Sequence, residues 1–312
     1  MNRVLAHTGA RYPIVQAPMG WIARSALASA VCNAGGLGII ETSSGETANC
    51  QAEILKMRDL TTAPFGVNLP ILFLKDDAML RFICDSGVKF VTTSAGSPAK
   101  FVAPLKAAGI TVYHAVPTLD AALKAVGAGV DGLVVEGAEG GGFKNPEEVS
   151  TLVLLQAIHR ATPVPLIAAG GIVDGRGMAS AFAVGAEAVQ MGTRFVSAAE
   201  SPVHANYKAA IVAAGVTGTV VLNKKSSPCI RALKTNRTAA IAEAGLMPAD
   251  TFSRILDLYF GGDMEAAVGL AGQSAGLIDT VRPVADIIAD TVAEFFAETA
   301  RLGAMARAGD FG

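Results

Sequence analysis

Polar side chains and glycines recur at the ends of short apolar runs in the first two thirds of the chain. They comprise amides, hydroxyls, isolated carboxylates, one histidine and bare glycine backbone, at positions 16–19, 41–42, 68, 92–94, 114, 136, 170–171 and 190–193. Among these residues no histidine and carboxylate cluster has metal-ligand spacing, and no nucleophile stands beside a general base. Donors, acceptors and open backbone without a strong nucleophile are typical of a site where an organic cofactor carries out the chemistry. We therefore expect a bound cofactor and no metal.

Two glycine-containing segments indicate where the cofactor's phosphate would bind. They are AAGGI at 168–172 and MGTRF at 191–195, each at the end of an apolar run. Glycine-rich turns expose backbone N–H groups, which bind phosphate when they lie on neighbouring loops. The GRG at 175–177 does not have the glycine spacing of a dinucleotide-binding fingerprint.

The elements that position these residues follow a repeated pattern of apolar run, polar loop, Ala/Leu-rich helical stretch and glycine. We count eight apolar runs of the kind expected for buried parallel strands, at 12–18, 37–42, 65–71, 89–96, 111–117, 131–139, 165–172 and 187–195. Eight strand–helix units predict an α/β fold of the (β/α)8 TIM-barrel class, in which the carboxyl ends of the strands form the site. An open, doubly wound sheet of eight strands is the alternative.

The pattern ends after Phe195. Residues 200–275 show a helical pattern with loops at 223–234 and 259–276, and residues 283–306 form an amphipathic helix with one apolar stripe. We expect residues 1–200 and 280–312 to form the barrel, with residues 201–279 as a small helical domain over its carboxyl end.

The composition excludes several classes of function. The formal net charge is −2 and there is no basic block, which gives no support for binding to nucleic acid. No apolar run approaches the roughly 20 residues that span a bilayer, and no signal-type segment opens the sequence. The sequence therefore predicts a cytoplasmic protein that acts on a small molecule, and it leaves a homodimer open.

Several ordered motifs resemble one protein family. They are YPIVQAPMGWIA (12–23), VEGAEGGG (135–142), IAAGGIVDGRG (167–177), GAEAVQMGTRF (185–195) and AGQSAGLI (271–278). The chain is similar in these motifs to the nitronate monooxygenase (2-nitropropane dioxygenase-like) flavoproteins, whose relatives include the FMN-dependent enoyl-acyl-carrier-protein reductase II. The resemblance implies an FMN-containing barrel with a small domain over the flavin.

The resemblance also assigns roles to residues of this chain. Ala17, Pro18 and Met19 would lie along the isoalloxazine, Asn68 would hydrogen-bond the flavin or substrate, and Glu136 would lie beneath the ring. Gly170, Gly171, Gly192 and Thr193 would hold the phosphate. Gln190 would lie near the ring, and Gln273 and Ser274 would reach the flavin from the small domain.

One position departs from the family pattern. The family has a histidine after its glycine pair, as base or substrate-positioning group, and this chain has Phe143 there. Phe143 accepts no proton, and we expect it to form an apolar wall of the substrate site. His114 is the nearest replacement as catalytic base, and a purely structural hydrogen bond is the other interpretation of that residue. The basic residues of the segment 224–237 are either a solvated face or a grip on a nucleotide or acyl carrier.

These observations predict an FMN-dependent oxidoreductase that oxidises nitronates with O2. A nitronate is already deprotonated, so Phe143 is compatible with this reaction, whereas a neutral nitroalkane needs a base. The first alternative is an NAD(P)H-dependent flavin reductase of enoyl thioesters or quinones. The second is a non-catalytic flavin-binding protein.

Overall fold

The computed structural model describes residues 1–309. Its strands are β1 (Ile14–Gln16), β2 (Ile39–Ile40), β3 (Gly66–Pro70), β4 (Phe90–Ser94), β5 (Thr111–Val116), β6 (Gly132–Glu136), β7 (Gly142–Phe143), β8 (Leu166–Ala169), β9 (Ala188–Met191), β10 (Thr219–Leu222) and β11 (Ile230–Leu233). Eight of them pair in parallel in the order β1-β9-β8-β6-β5-β4-β3-β2. A parallel bridge between Val15 and Leu37 joins the first and last members. The predicted closed barrel is therefore confirmed over the open sheet.

Helices connect the barrel strands and cover the outside. They are α1 (Arg3–Thr8), α2 (Ser25–Asn33), α3 (Thr47–Leu60), α4 (Ala78–Asp85), α5 (Ala99–Ala107), α6 (Leu119–Gly127), α7 (Thr151–Ala161), α8 (Gly175–Ala183), α9 (Thr193–Val196), α10 (Ala205–Ala213), α11 (Asn236–Ala244), α12 (Ile255–Tyr259) and α13 (Val284–Ala308). The long α13 corresponds to the predicted amphipathic helix and packs against α8, with the rings of Phe182 and Phe295 5.1 Å apart. It completes the outer ring. No helix within residues 1–309 is both long and apolar enough to cross a membrane.

The barrel strands are apolar on both faces, and the two faces belong to different parts of the core. One face fills the barrel interior with side chains that include Val15, Ile39, Phe90, Tyr113, Val134, Ile167 and Ala188. The other packs under the helices with side chains that include Val91, Val112, Val116, Leu133 and Val189. Because side chains alternate along a strand, this division fixes which residue at each strand end faces the mouth of the barrel.

The segment between β9 and α13 differs from the predicted all-helical insertion. It contains the antiparallel pair β10 and β11, and β7 from the loop after β6 joins it through the pairs Ile230–Phe143 and Arg231–Gly142. Each strand is only two to four residues long, and the turn between β10 and β11 is rich in lysine and serine. The segment therefore shows no extended alternation of apolar and polar residues that would predict strands. The small sheet ties the insertion to the barrel by main-chain hydrogen bonds. The predicted limits of the insertion, 201–279, stay a prediction.

Candidate active site

The carboxyl ends of the barrel strands form a polar mouth. Inward-facing positions two residues after inner-core side chains are Ala17, Ala115, Glu136 and Gln190. Asn68 is buried among them and donates to the Thr92 carbonyl (3.1 Å) and hydroxyl (3.0 Å). The predicted mouth residues are thus brought together, with one exception described below.

The two glycine segments lie side by side because β8 pairs with β9. Gly170 and Gly171 both have positive φ (95° and 79°), and a Cβ at residue 170 would lie 3.0 Å from the Gly140 nitrogen. Gly192 precedes α9, so its neighbour Thr193 begins a helical turn. The backbone of both segments is partly exposed at Gly170, Gly171 and Gly192. This is a cradle in which main-chain N–H groups stand open, as a phosphate requires.

The segment after β1 borders this cradle. Ala17 donates its backbone N–H to the Met191 carbonyl at 3.0 Å. A Cβ at Gly192 would lie 3.6 Å from the Ala17 Cβ and 3.8 Å from the Met19 sulfur. Ala17, Pro18 and Met19 are partly exposed, so they line the mouth. Their contact with an isoalloxazine ring stays a prediction.

The insertion reaches the same place through a short 3-10 turn at Gln273–Leu277. The Gly272 N–H donates to the Thr193 hydroxyl at 2.9 Å, and the Gln273 N–H donates to the Glu139 carbonyl at 2.8 Å. The turn that carries Gln273 and Ser274 therefore begins next to the residue that contacts Thr193. Their contact with a cofactor stays a prediction.

Gln190 provides the test of whether these residues fit a flavin. Its residue exposure is 8%, and its buried Oε1 has no hydrogen-bond partner among the residues that the structure describes. An unpaired buried carbonyl costs free energy, on the order of 1–3 kcal/mol, unless a donor supplies the missing bond. A ring system with N–H donors and a phosphate tail fits both this orphaned acceptor and the adjacent glycine cradle.

Glu136 ends β6 and forms an ion pair with Lys144. The Lys144 side chain is only 3% exposed, whereas that of Glu136 is 32% exposed. A Cβ at Gly140 would lie 2.5 Å from Glu136 Oε1 and 2.7 Å from Lys144 Nζ, so the pair occupies the space that a side chain would need there. Sequence reasoning placed Glu136 at the mouth but missed Lys144.

The structure corrects the expectation that His114 is the catalytic base. His114 shares the parity of Val112 and Val116, which face the helices, and its Nδ1 lies 2.8 Å from the Thr93 hydroxyl. The barrel interior at this level receives Tyr113 and Ala115 instead. Burial lowers the pKa of His114 to about 4. His114 is therefore a structural residue of the layer between strands and helices.

Phe143 lies at the rim of the mouth, on β7. Its side chain is half exposed (50%), and its ring centroid is 5.8 Å from that of Phe73, which follows β3. The two rings form an apolar edge between the loops that follow β3 and β6. The role of Phe143 as a wall of the substrate site stays a prediction.

The basic segment of the insertion is used largely for structure. Arg231 is buried and donates from Nε to the Ala138 carbonyl at 2.8 Å, and Arg231 and Lys224 both pair with Glu148. Arg231 thus clamps the loop after β6 to the small sheet. The hypothesis of a grip on a nucleotide or carrier retains the exposed Lys225 and Lys234 and the partly exposed Arg237.

Comparison with known proteins identifies the family. A nitronate monooxygenase family model matches residues 2–79 and 70–294. The (3aS,4S,5R,7aS)-5-hydroxy-7a-methyl-1-oxo-octahydro-1H-indene-4-carboxyl-CoA dehydrogenase of Rhodococcus jostii is 35% identical over 239 residues, which cover 77% of this chain and 67% of that protein, so about a third of its length has no counterpart here. The nitronate monooxygenase of Pseudomonas aeruginosa is 30% identical, over 92% of this chain and 97% of its own.

A solved structure is similar over nearly its whole length. FabK from Thermotoga maritima superimposes with a TM-score of 0.93 at 38% identity, covering 97% of this chain and 99% of that one. The likeness extends through the barrel and the insertion together. The chain therefore belongs to the nitronate monooxygenase family and is an oxidoreductase.

Proposed function

We propose that the protein binds FMN and uses it to oxidise nitronates with O2. The observation that carries the proposal is the pairing of an open glycine cradle with the orphaned Gln190 carbonyl at the mouth of a family barrel. The nitronate monooxygenase and FabK families are flavin enzymes, which supports a flavin in this place. No adenosine-binding fingerprint occurs in the sequence, which favours FMN over FAD.

The residues of the cradle would hold the cofactor. Backbone N–H groups of residues 170–171 and 192–193 would bind the phosphate, Gln190 would accept a hydrogen bond from the ring, and residues 17–19 would lie along it. The Asn68 side-chain amide donates to Thr92. Asn68 would therefore stabilise the floor of the mouth as well as contact the ring. When bound, FMN supplies the electron acceptor for the substrate and the reductant for oxygen.

The remaining mouth residues would orient the substrate. The apolar edge formed by Phe73 and Phe143 would receive the alkyl part of a nitronate and keep water from the reacting face. No proton has to be removed from a nitronate, so this edge needs no basic group.

Anaerobic stopped-flow spectroscopy of the purified protein tests the proposal. Heat-released cofactor is first identified by chromatography as FMN. Flavin bleaching is then followed separately with ethyl nitronate, NADH and NADPH, and oxygen uptake is measured with the same donors. Rapid bleaching and oxygen uptake with the nitronate alone are expected. FAD in the protein, or bleaching only by a nicotinamide nucleotide, would contradict the proposal.

The second candidate is an NAD(P)H-dependent reductase of an enoyl thioester or a quinone. The similarity to FabK, and to a relative whose name specifies a CoA thioester, favours it. Bleaching by NADH or NADPH followed by reoxidation with crotonyl-CoA or a quinone would select it. The non-catalytic hypothesis is dropped, because the relatives are oxidoreductases. A homodimer and a cytoplasmic location remain predictions.

A further inference from the structure

The mouth contains an accessible carboxylate at the place where the family histidine is missing. Glu136 lies on an inward-facing position, one third exposed. Glu41 is fully buried and pairs with Arg24 at 2.8 Å, and the Glu139 carboxylate accepts from the Thr151 N–H and hydroxyl. Within residues 1–309, Glu136 is thus the carboxylate at these strand ends that combines an inward position with solvent access.

Lys144 holds this carboxylate in place. Its side chain is buried, and its ammonium group contacts Glu136 on the side away from solvent. The backbone N–H of Lys144 donates to the Cys229 carbonyl at 2.9 Å, which fixes the lysine to the small sheet. A buried lysine is costly unless it is paired, and the absence of a Cβ at Gly140 leaves the space that the pair fills. The loop is thus built around the ion pair.

We propose that Glu136 is a general base that removes the α-proton of a neutral nitroalkane, with Lys144 as its positioning residue. In this step the substrate C–H bond breaks, its electron pair forms the C=N bond of the nitronate, and the π electrons of one N=O bond move onto that oxygen. An O–H bond forms on the Glu136 carboxyl group. The proton then leaves through the exposed edge of that group. The inference rests on the proposed function, because the nitronate formed is the substrate of that reaction. It supplies the base that a neutral nitroalkane needs and that Phe143 cannot provide.

The surroundings of Glu136 contain few other charged groups. The small cavity of about 20 Å³ beside it is lined by Pro117 from the loop after β5, by Phe143 and Lys144, and by Glu148 and Val149 from the segment before α7. The charged groups facing it are therefore Lys144 and Glu148, and Glu148 is neutralised by Lys224 and Arg231. Lys144 is thus the charged partner that orients the Glu136 carboxylate.

Exchange of the α-protons of nitroethane in D2O tests the base without any redox turnover. The flavin-loaded enzyme is kept anaerobic, exchange is followed by proton NMR, and oxygen uptake with nitroethane and with preformed ethyl nitronate is measured in parallel. Glu136→Gln is expected to lower the enzyme-catalysed exchange by about 100-fold or more, in the range known for general bases. Its ratio of nitronate to nitroethane oxidation should rise by a similar factor. Glu147→Gln, an exposed carboxylate on the same loop, is the matched control and should exchange like the wild type.

Lys144 variants separate positioning from mere structure. Lys144→Met should lower the enzyme-catalysed exchange, because the carboxylate loses the ammonium group that orients it. Lys144→Arg should restore the exchange, and the exposed Lys225→Met should leave it unchanged.

The outcomes distinguish this inference from the proposed function. Exchange by the wild type without oxidation of the nitronate would overturn the proposed function and support the base. Oxidation of the nitronate without exchange above the solvent background would overturn the base and keep the function. Wild-type exchange rates in Glu136→Gln, with flavin content retained, would also overturn the base. If Glu136→Gln fails to fold, wild-type exchange in Lys144→Met would contradict the inference.

Discussion

The two sides of the barrel mouth are built in different ways. On the β8–β9 side, main-chain N–H groups beside glycines form the cradle, and few side chains take part. On the β5–β6 side, the mouth is built from Glu136, Lys144 and the half-exposed ring of Phe143. The shape of the first side is set by the positions of glycines, which have no side chains. The shape of the second side is set by the side chains of β6 and of the loop that follows it. On the glycine side, an added side chain is not tolerated. On the other side, one side chain can be replaced by another with a different functional group.

The largest effect is expected on the glycine side. Gly192→Leu should abolish flavin binding, because the side chain would enter the space bordered by Ala17 and Met19. Gly192 has a negative φ (−101°), so the substitution adds bulk without left-handed strain. Flavin content after gel filtration and circular dichroism are the measurements.

Gly171→Leu should have the same result but combines bulk with strain, since its φ is 79°. Gly245→Leu is its control: φ is 70°, and no atom lies within 4 Å of the Cβ position, far from the mouth. Full flavin occupancy in both mouth variants would show that the cradle lies elsewhere.

On the β5–β6 side of the mouth, a single substitution is expected to add a catalytic base. Phe143→His introduces a group that titrates near pH 6.5 at the position of the family histidine. We expect about a tenfold increase in nitroethane turnover, with a new limb in its pH profile, at the low end of general-base effects. Phe143→Leu, which keeps the site apolar, should show neither change. An unaltered pH profile in Phe143→His would mean that the ring does not face the substrate.

The contact between the loop after β6 and the small sheet can be weakened at Arg231. Arg231→Met would leave the Ala138 carbonyl and Glu148 without their buried cation, at an expected cost of about 2–3 kcal/mol in the free energy of unfolding. Urea unfolding gives that value, and flavin release reports whether the loop has moved. The exposed neighbour Lys234→Met should be within about 0.5 kcal/mol of the wild type.

The smallest catalytic effect is expected at His114, which lies outside the mouth. Burial lowers its pKa to about 4, below the value of about 6.5 in the unfolded chain. The unfolded state therefore takes up the proton first, so the stability that His114 contributes is complete above pH 6.5 and is lost as the pH falls from 6.5 towards 4. Between pH 7 and pH 5 the loss should be about 2 kcal/mol.

His114→Gln should remove this slope from urea titrations at several pH values while changing turnover less than about threefold. A turnover loss of 100-fold in His114→Gln would return the residue to the active site.

The same contrast explains what could be predicted. The eight strands were readable because their apolar runs are long and evenly spaced, and the cradle was readable because glycine placement needs no knowledge of side-chain direction. The error at His114 has a physical cause. Both faces of these strands are buried, so the hydrophobic pattern does not reveal whether Tyr113 or His114 faces inward. Lys144 was missed because its position depends on β7 joining the small sheet, a contact between segments about 90 residues apart in sequence.

The pairing of β7 with β11 has a consequence for how such enzymes diversify. The rim that carries Phe143 and Lys144 belongs to the barrel by sequence, yet it is the edge strand of the insertion's sheet. Exchange of residues 201–279 between relatives would therefore leave a strand edge without its matched partner. A transplant that also carries residues 142–145 would move the sheet as a unit, and with it Phe143 and Lys144. In this architecture, substrate specificity would be inherited with the hydrogen-bonded sheet as a whole. That sheet includes β7, which lies outside residues 201–279 in the sequence.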